Sequence, residues 1–502
     1  MEYELVAAVD LGSNSFRLQI GRVIDDQVYP LDGLKETVRL ASGLQADKCL
    51  DEASRQRALI ALSRFGERLR GLAPEAVRAV ATNTLRVAKN AQPFLREAQA
   101  ALGFPIEIIA GREEARLIYL GASHSLPPAS HRRLVADIGG GSTEFIIGRR
   151  YDPLLMESLY MGCVSYSLRF FPDGQVDKRS FREAEIAASR ELENIAQSYR
   201  ALGWKEAIGS SGTARAIADL LEENDLNPDG ELGITAVGLE RLKVLLIRAG
   251  SAQALGLSGM RGDRMPVLPG GLAIMSAIFA SFQLERMMYA EGALRLGVLY
   301  DLIGRFHQHD RRDDTVAEFV RRYQIDRRQA ERVQQLASAF LEQIDPEPSV
   351  EHEHDAHFLA WAARLHEIGI SIAHSGYHKH GAYVLTFADM PGFSKQDQSR
   401  LALLVLAHRG KLDKVTSMPP GDPNWPLVFC LRLAVLFSRS RTDCGCPSLS
   451  VTRTAKGFAV DLPAAWLRAN PMTAAALEDE AQGWLRTGFE LRVRPRAERG
   501  VG

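Results

Sequence analysis

Two short stretches carry residue types suited to phosphate chemistry. Asp10-Leu-Gly-Ser-Asn-Ser15 and Asp137-Ile-Gly-Gly-Gly-Ser-Thr-Glu144 each set an aspartate at the end of an apolar run, directly before a glycine turn. Glycine lets main-chain N–H groups come close to phosphate oxygens. A carboxylate at the strand end can hold Mg²⁺ directly or through water. Beside Gly12, Gly139, Gly140 and Gly141, the side chains of Ser13, Asn14, Ser15, Ser142 and Thr143 add donors. Either turn alone would also serve as a solvated hairpin, because Gly, Asn and Ser suit tight turns. Two of them, both led by Asp and both set between apolar strands, read as the jaws of one phosphate site.

Other residues fit around such a site. Gly209-Ser-Ser-Gly-Thr213 precedes the helical run Ala214 to Leu221, so Ser211, Gly212 and Thr213 lie where free N–H groups gather. They either receive an anion or cap the helix. Arg86, with its planar fork, is a further phosphate candidate. Hydrolysis needs a group to position water, and Gly111-Arg-Glu-Glu-Ala-Arg116 offers Glu113 and Glu114 in the first turn of a predicted helix. Spacing does not separate these two, and acidic residues there also serve simply to complement the helix dipole.

The elements that must position these residues repeat. Leu5 to Val9 and the alternating Phe16, Leu18 and Ile20 bracket the first turn, while Leu134 to Ala136 and Phe145 to Ile147 bracket the second. The recurrence reads as an internal duplication of about domain size. Helices are expected around 52–70 and 112–122, and strands at Ala76 to Ala81 and Pro105 to Ile109. From about residue 304 the pattern turns to long amphipathic helices, and beyond 440 strand-like alternation returns around one helix. The expected organisation is α/β domains over 1–124 and 125–303, a helical domain over 304–440 and a small α+β cap over 441–502.

Taken with Met161-Gly-Cys-Val-Ser165, Leu268-Pro-Gly-Gly-Leu272 and Glu291-Gly-Ala-Leu-Arg295, these motifs are similar in kind and order to those of the exopolyphosphatase and guanosine pentaphosphate phosphatase family. The resemblance spans essentially the whole chain. It implies two tandem actin-like (ribonuclease H-like) ATPase domains, Glu114 as the residue positioning water, and Asp10, Asp137 and Glu144 organising Mg²⁺, with a monovalent cation such as K⁺ as a further candidate. Arg86 and the glycine turns would hold phosphate, and the chain would form a homodimer. The helical segment resembles the HD-phosphohydrolase module, but His366-Glu367 stands where that module has His-Asp. A degenerate, metal-free module is expected, in which His378, Lys379, Arg409 and Lys411 hold the distal part of a polyanion.

Composition sets the boundaries of this reading. Hydrophobic residues at 46% and charged residues at 25% exclude a disordered chain. A net charge of −1 leaves no global attraction to nucleic acid, so positive charge must be gathered locally. Five scattered cysteines point to a reducing compartment, and Cys444 and Cys446, one residue apart with no second pair to accompany them, point away from a zinc site. With no integral membrane segment expected, the location is cytoplasmic, or peripheral to the inner membrane. The function expected is release of terminal orthophosphate from inorganic polyphosphate, because Met161-Gly-Cys-Val and Glu291 to Asp310 look closer to that type. The alternatives are 5′ dephosphorylation of guanosine pentaphosphate and, from other classes, a non-catalytic polyphosphate or alarmone sensor or a sugar kinase.

Overall fold

Strand β1 (Leu5–Leu11) is almost entirely buried, as its unbroken apolar sequence requires of a central strand. Antiparallel β2 (Phe16–Ile24) and β3 (Gln27–Glu36) extend the sheet on one side, and parallel β4 (Val77–Ala81) and β5 (Ile106–Ile108) on the other, in the order β3-β2-β1-β4-β5. The computed structural model describes all residues except 1–3, 25–26, 128, 229–230, 261, 307–309, 348, 416–417, 443–447 and 497–502. Cys444 and Cys446 lie outside the described residues.

A second sheet repeats the plan. Here β6 (Arg132–Ile138) takes the central place, β7 (Thr143–Arg149) and β8 (Asp152–Leu159) are antiparallel to one side, and β9 (Glu206–Gly209) lies parallel on the other. Beyond β9 come β10 (Ile234–Thr235) and β11 (Arg286–Tyr289), giving the order β10-β11-β9-β6-β7-β8. The duplication extends to register, since Asp10 faces Arg17 across the first ladder and Asp137 faces Glu144 across the second. The same ladder position thus carries a cation in one half and a carboxylate in the other.

Both sheets belong to one compact unit, Met1–Arg311. One shared core joins Val6, Ala8 and Val80 of the first half to Val135, Ile146 and Ile208 of the second. The helix Leu268–Phe282, apolar on all sides, is buried in the second half. The stretch Met265–Phe282 is long and apolar enough to cross a membrane, but two thirds of it is buried within the protein, as a core helix should be. Helix Gly111–Ser125 lies against helix Leu294–Phe306, and a Cβ on Gly121 or Gly297 would strike the facing backbone at Ala293 or Leu117. Glycine is required at this crossing to let the two backbones approach.

The second unit, Arg312–Gly502, is mainly helical. Its three-stranded sheet, β12 (Ser450–Thr454), β13 (Gly457–Pro463) and β14 (Glu490–Arg496), shares one core with the helices through residues such as Phe429, Phe458 and Trp484. The rings of Phe429 and Phe458 stack with centroids 4.1 Å apart.

Candidate active site

In the first unit the two glycine turns meet at a cleft of about 350 Å³. Asp10, Gly12, Ser13, Asn14 and Ser15 line it from the β1–β2 turn, and Asp137, Gly139, Gly140 and Ser142 from the β6–β7 turn. The turns approach so closely that a Cβ on Gly140 would come within 2.9 Å of the Ser13 Cβ. A Cβ on Gly141 would come within 2.6 Å of Asn83 Oδ1. Hydrogen bonds brace both turns from outside. Arg39 N and Ala41 N donate to the carbonyls of Asn14 and Ser13 at 2.8 and 2.9 Å, while Cys163 N and Val164 N donate to those of Gly139 and Gly140 at 2.9 and 3.0 Å. The Met161-Gly-Cys-Val segment is therefore a brace for the second turn.

Glu114 lines the cleft, and Glu113 does not. Glu113 accepts two hydrogen bonds of 2.8 Å from Arg116, in a buried network completed by Asp301 and Arg78. Neighbours on a helix point about 100° apart, and here one reaches the cleft while the other serves the core. Desolvation raises the Glu114 pKa, and the Arg86 guanidinium opposes it. Arg86 is placed otherwise than sequence suggested. It does not line the cleft; its Nη1 donates to Glu114 Oε2 at 3.1 Å and to the Ile109 carbonyl at 2.9 Å.

The cleft carboxylates strain against burial. Desolvation pushes Asp10 up to about 7 against the pull of Arg295 and Arg17, with Glu114 and Asp137 adding repulsion. Asp137 rises to about 6 for the same first reason, although the Ser210 hydroxyl donates to its Oδ2 at 2.8 Å. Glu144 is buried behind the cleft, accepts a hydrogen bond from Ser158 at 2.8 Å, and is held well above the usual carboxylate range by desolvation and by Glu114 and Asp137. Among the described residues no three His, Cys, Asp or Glu side chains form a ready metal cage. The donor set suits a hard cation that takes oxygens from one or two carboxylates, water and phosphate, as Mg²⁺ does.

Of the other expected residues, Ser211 and Gly212 line the cleft. Ser211 also caps its helix, accepting from Ala214 N at 3.0 Å. Thr143 and Thr213 are spent on the scaffold, donating to the carbonyls of Met161 and Ile138 at 2.6 and 3.1 Å. The Ser15 hydroxyl is buried and has no partner among the described residues, which leaves it available to a ligand oxygen.

Sequence reasoning missed the cations. Arg17, Lys35, Arg215, Arg264 and Arg295 all line the cleft. Lys35 is paired with Asp263 at 2.5 Å, whereas Arg17, Arg264 and Arg295 have no carboxylate within 4.0 Å among the described residues. Desolvation lowers Arg295 to about 10, with Arg17 adding repulsion. Three guanidiniums with no ion pair that close, facing the cleft together, suit an anion. The one local signal was Arg17, alternating with the apolar residues of β2 on the cleft side of the ladder.

In the second unit, a separate cavity of about 230 Å³ includes His366, Glu367, His408 and Arg409 in its lining. Glu367 is ion-paired with Arg441. Arg409 lies over the Tyr377 ring, 5.0 Å from its centroid. Desolvation and the cations Lys414, Lys379 and Arg409 bring His378 down to about 4. Lys411 is exposed, and Lys414, which sequence did not single out, joins this cationic group instead.

Comparison with known proteins bears on both units. Residues 20–306 match the sequence profile of the Ppx/GppA phosphatase family, and residues 311–481 match that of Ppx/GppA phosphatase, domain III. Over 494 residues the chain is 37% identical to a guanosine-5′-triphosphate,3′-diphosphate pyrophosphatase of Vibrio campbellii, covering 97% of this chain and 98% of the relative. A protein of the same name from Vibrio vulnificus is 36% identical over 497 residues, covering 98% of each. Among solved structures, an exopolyphosphatase from Cytophaga hutchinsonii matches with a TM-score of 0.54 at 24% identity, covering 60% of this chain and 98% of its own. That match shows the shared fold.

Proposed function

The chain belongs to the Ppx/GppA phosphatase family, and from that premise we propose that it hydrolyses the terminal 5′ phosphoanhydride of guanosine 5′-triphosphate 3′-diphosphate, releasing orthophosphate. One observation carries the choice of substrate: relatives bearing that activity's name align over 97% and 98% of this chain at 37% and 36% identity. The local features at Met161 to Val164 and Glu291 to Asp310 favoured inorganic polyphosphate. Agreement over the full length outweighs two short segments, one of which serves as a turn brace.

In this reading the terminal phosphoryl group lies between the glycine turns, held by their amides, by Ser15 and by Arg17, Arg264 and Arg295. Mg²⁺ bound at Asp10 and Asp137 would supply charge neutralisation of the phosphate oxygens. Glu114 orients the water and takes its proton as oxygen attacks phosphorus and the bond to the bridging oxygen breaks. Arg86 holds the Glu114 carboxylate in place, and its charge favours the ionised form against burial.

Polyphosphate is the second reading, because nothing in the phosphate grip depends on a nucleoside. Orthophosphate release from guanosine pentaphosphate and from long polyphosphate, measured with Mg²⁺ on one preparation, decides between them. A higher kcat/KM for the pentaphosphate is expected, and a higher value for polyphosphate would reverse the assignment.

A further inference from the structure

The cleft has two kinds of arginine. Arg17, Arg264 and Arg295 have no carboxylate within 4.0 Å among the described residues, but Arg215 is offset twice, by Asp219 at 3.8 Å and by Glu291 at 3.6 Å. Its charge has carboxylates nearby that the other three lack, and it presents a flat guanidinium to the cleft. That guanidinium lies 5.9 Å from the ring centroid of Tyr289. Tyr289 is half-buried and ends strand β11, and both it and Asp219 line the cleft.

Register fixes where this group sits. Ala136, the residue before Asp137, pairs with Gly209, and Gly209 pairs with Tyr289. Tyr289 is therefore two strands away from the β6–β7 phosphate turn, roughly 10 Å at the usual strand spacing. A nucleotide whose terminal phosphate sat at the turn could reach this corner across the same cleft. Asp219 follows Arg215 by one helical turn, on the same face of helix Gly212–Glu223.

We propose that this corner receives the guanine of the substrate, with Tyr289 and Arg215 as its flat contacts and the Asp219 carboxylate accepting from the N1–H and 2-amino donors of the base. The inference rests on the pentaphosphate reading. Enzymes select a base by stacking it and by pairing its Watson–Crick edge, and guanine is the purine whose edge offers a carboxylate two adjacent donors. The phosphate grip cannot distinguish one nucleoside from another, so this corner is where the distinction is made.

The test compares guanosine pentaphosphate with its inosine counterpart, which lacks the 2-amino group. The wild-type enzyme is expected to prefer guanosine by about tenfold to a hundredfold in kcat/KM, the range for losing a hydrogen bond to a charged group. Asp219→Asn is expected to bring that ratio close to one, and Tyr289→Leu to raise KM for the guanosine compound about tenfold with little change in kcat. Equal use of both nucleotides by the wild type overturns the proposal without any variant. So does an Asp219→Asn enzyme that keeps the full preference. A wild type that cleaves long polyphosphate but no pentaphosphate overturns the functional reading and this inference together, whereas pentaphosphate cleavage without base preference overturns this inference alone.

Discussion

Arg86 Nη1 bridges Glu114 Oε2 and the carbonyl of Ile109, tying that cleft carboxylate to the chain just before its own helix. The carboxylate is thus held from two directions. Burial favours its protonated form, and the guanidinium favours the ionised form that the proposed mechanism requires.

Glu114→Gln should lower kcat by about 10² to 10⁴ while substrate binding changes much less, since the amide keeps the shape but cannot take a proton. Steady-state rates combined with a direct binding measurement check this. Unchanged turnover would assign the base elsewhere.

Arg86→Met should shift the acid limb of the kcat/KM profile to higher pH. With the guanidinium gone, burial acts unopposed, the Glu114 pKa climbs further, and a higher pH is needed to ionise it. A rate that falls with no movement of the limb would leave Arg86 a purely positional role.

Glu113→Gln tests the neighbouring position and should act on stability. It leaves Arg116 and Arg78 short of a carboxylate in a buried network, a type of loss that costs about 3–5 kcal/mol. Thermal unfolding should show a clearly lower midpoint, while kcat of the folded enzyme stays near wild type.

Gly140→Ala brings a methyl group within 2.9 Å of the Ser13 Cβ where the two turns meet. Either the jaws part or the turns deform. KM for substrate should rise at least tenfold with the fold retained, as read by kinetics alongside circular dichroism.

Acid should weaken the second unit. His366 and His408 are buried, and desolvation lowers both pKa values. Above the unfolded-state value of about 6.5 both states are neutral and nothing is lost. Below it, only the unfolded chain gains the protons, so stability falls as pH drops from about 6.5 towards the folded-state values. Trp361, Trp425, Trp466 and Trp484 belong to this unit and Trp204 to the other, so denaturant titrations followed by tryptophan fluorescence at pH 7.5 and pH 5 report it directly. His408→Gln should narrow the difference between the two pH values.

How far sequence reached follows from how local each feature is. The two jaws were legible because Asp10 to Ser15 and Asp137 to Glu144 each hold strand end, turn and donors within eight residues or fewer. Edge strand β3 was missed because Gln27–Glu36 is mostly exposed and polar and lacks the alternation that marks a buried face. Glu113 and Glu114 were indistinguishable because much of what separates them lies outside the local motif: Arg78 and Asp301 complete the Glu113–Arg116 pair, and Arg86 holds Glu114. Arg264 and Arg295 escaped for the same reason: only the topology brings them to turns more than a hundred residues earlier in the chain. Thr143 and Thr213 had the right type for phosphate, but each had a carbonyl closer at hand.

The glycine crossing at Gly121 and Gly297 makes a splint of two helices, one carrying Glu114 and the other Arg295. The separation of those two side chains is thereby set where Gly121 and Gly297 bring backbone against backbone. Mutations along that seam would retune the rate of an enzyme whose substrate they never meet.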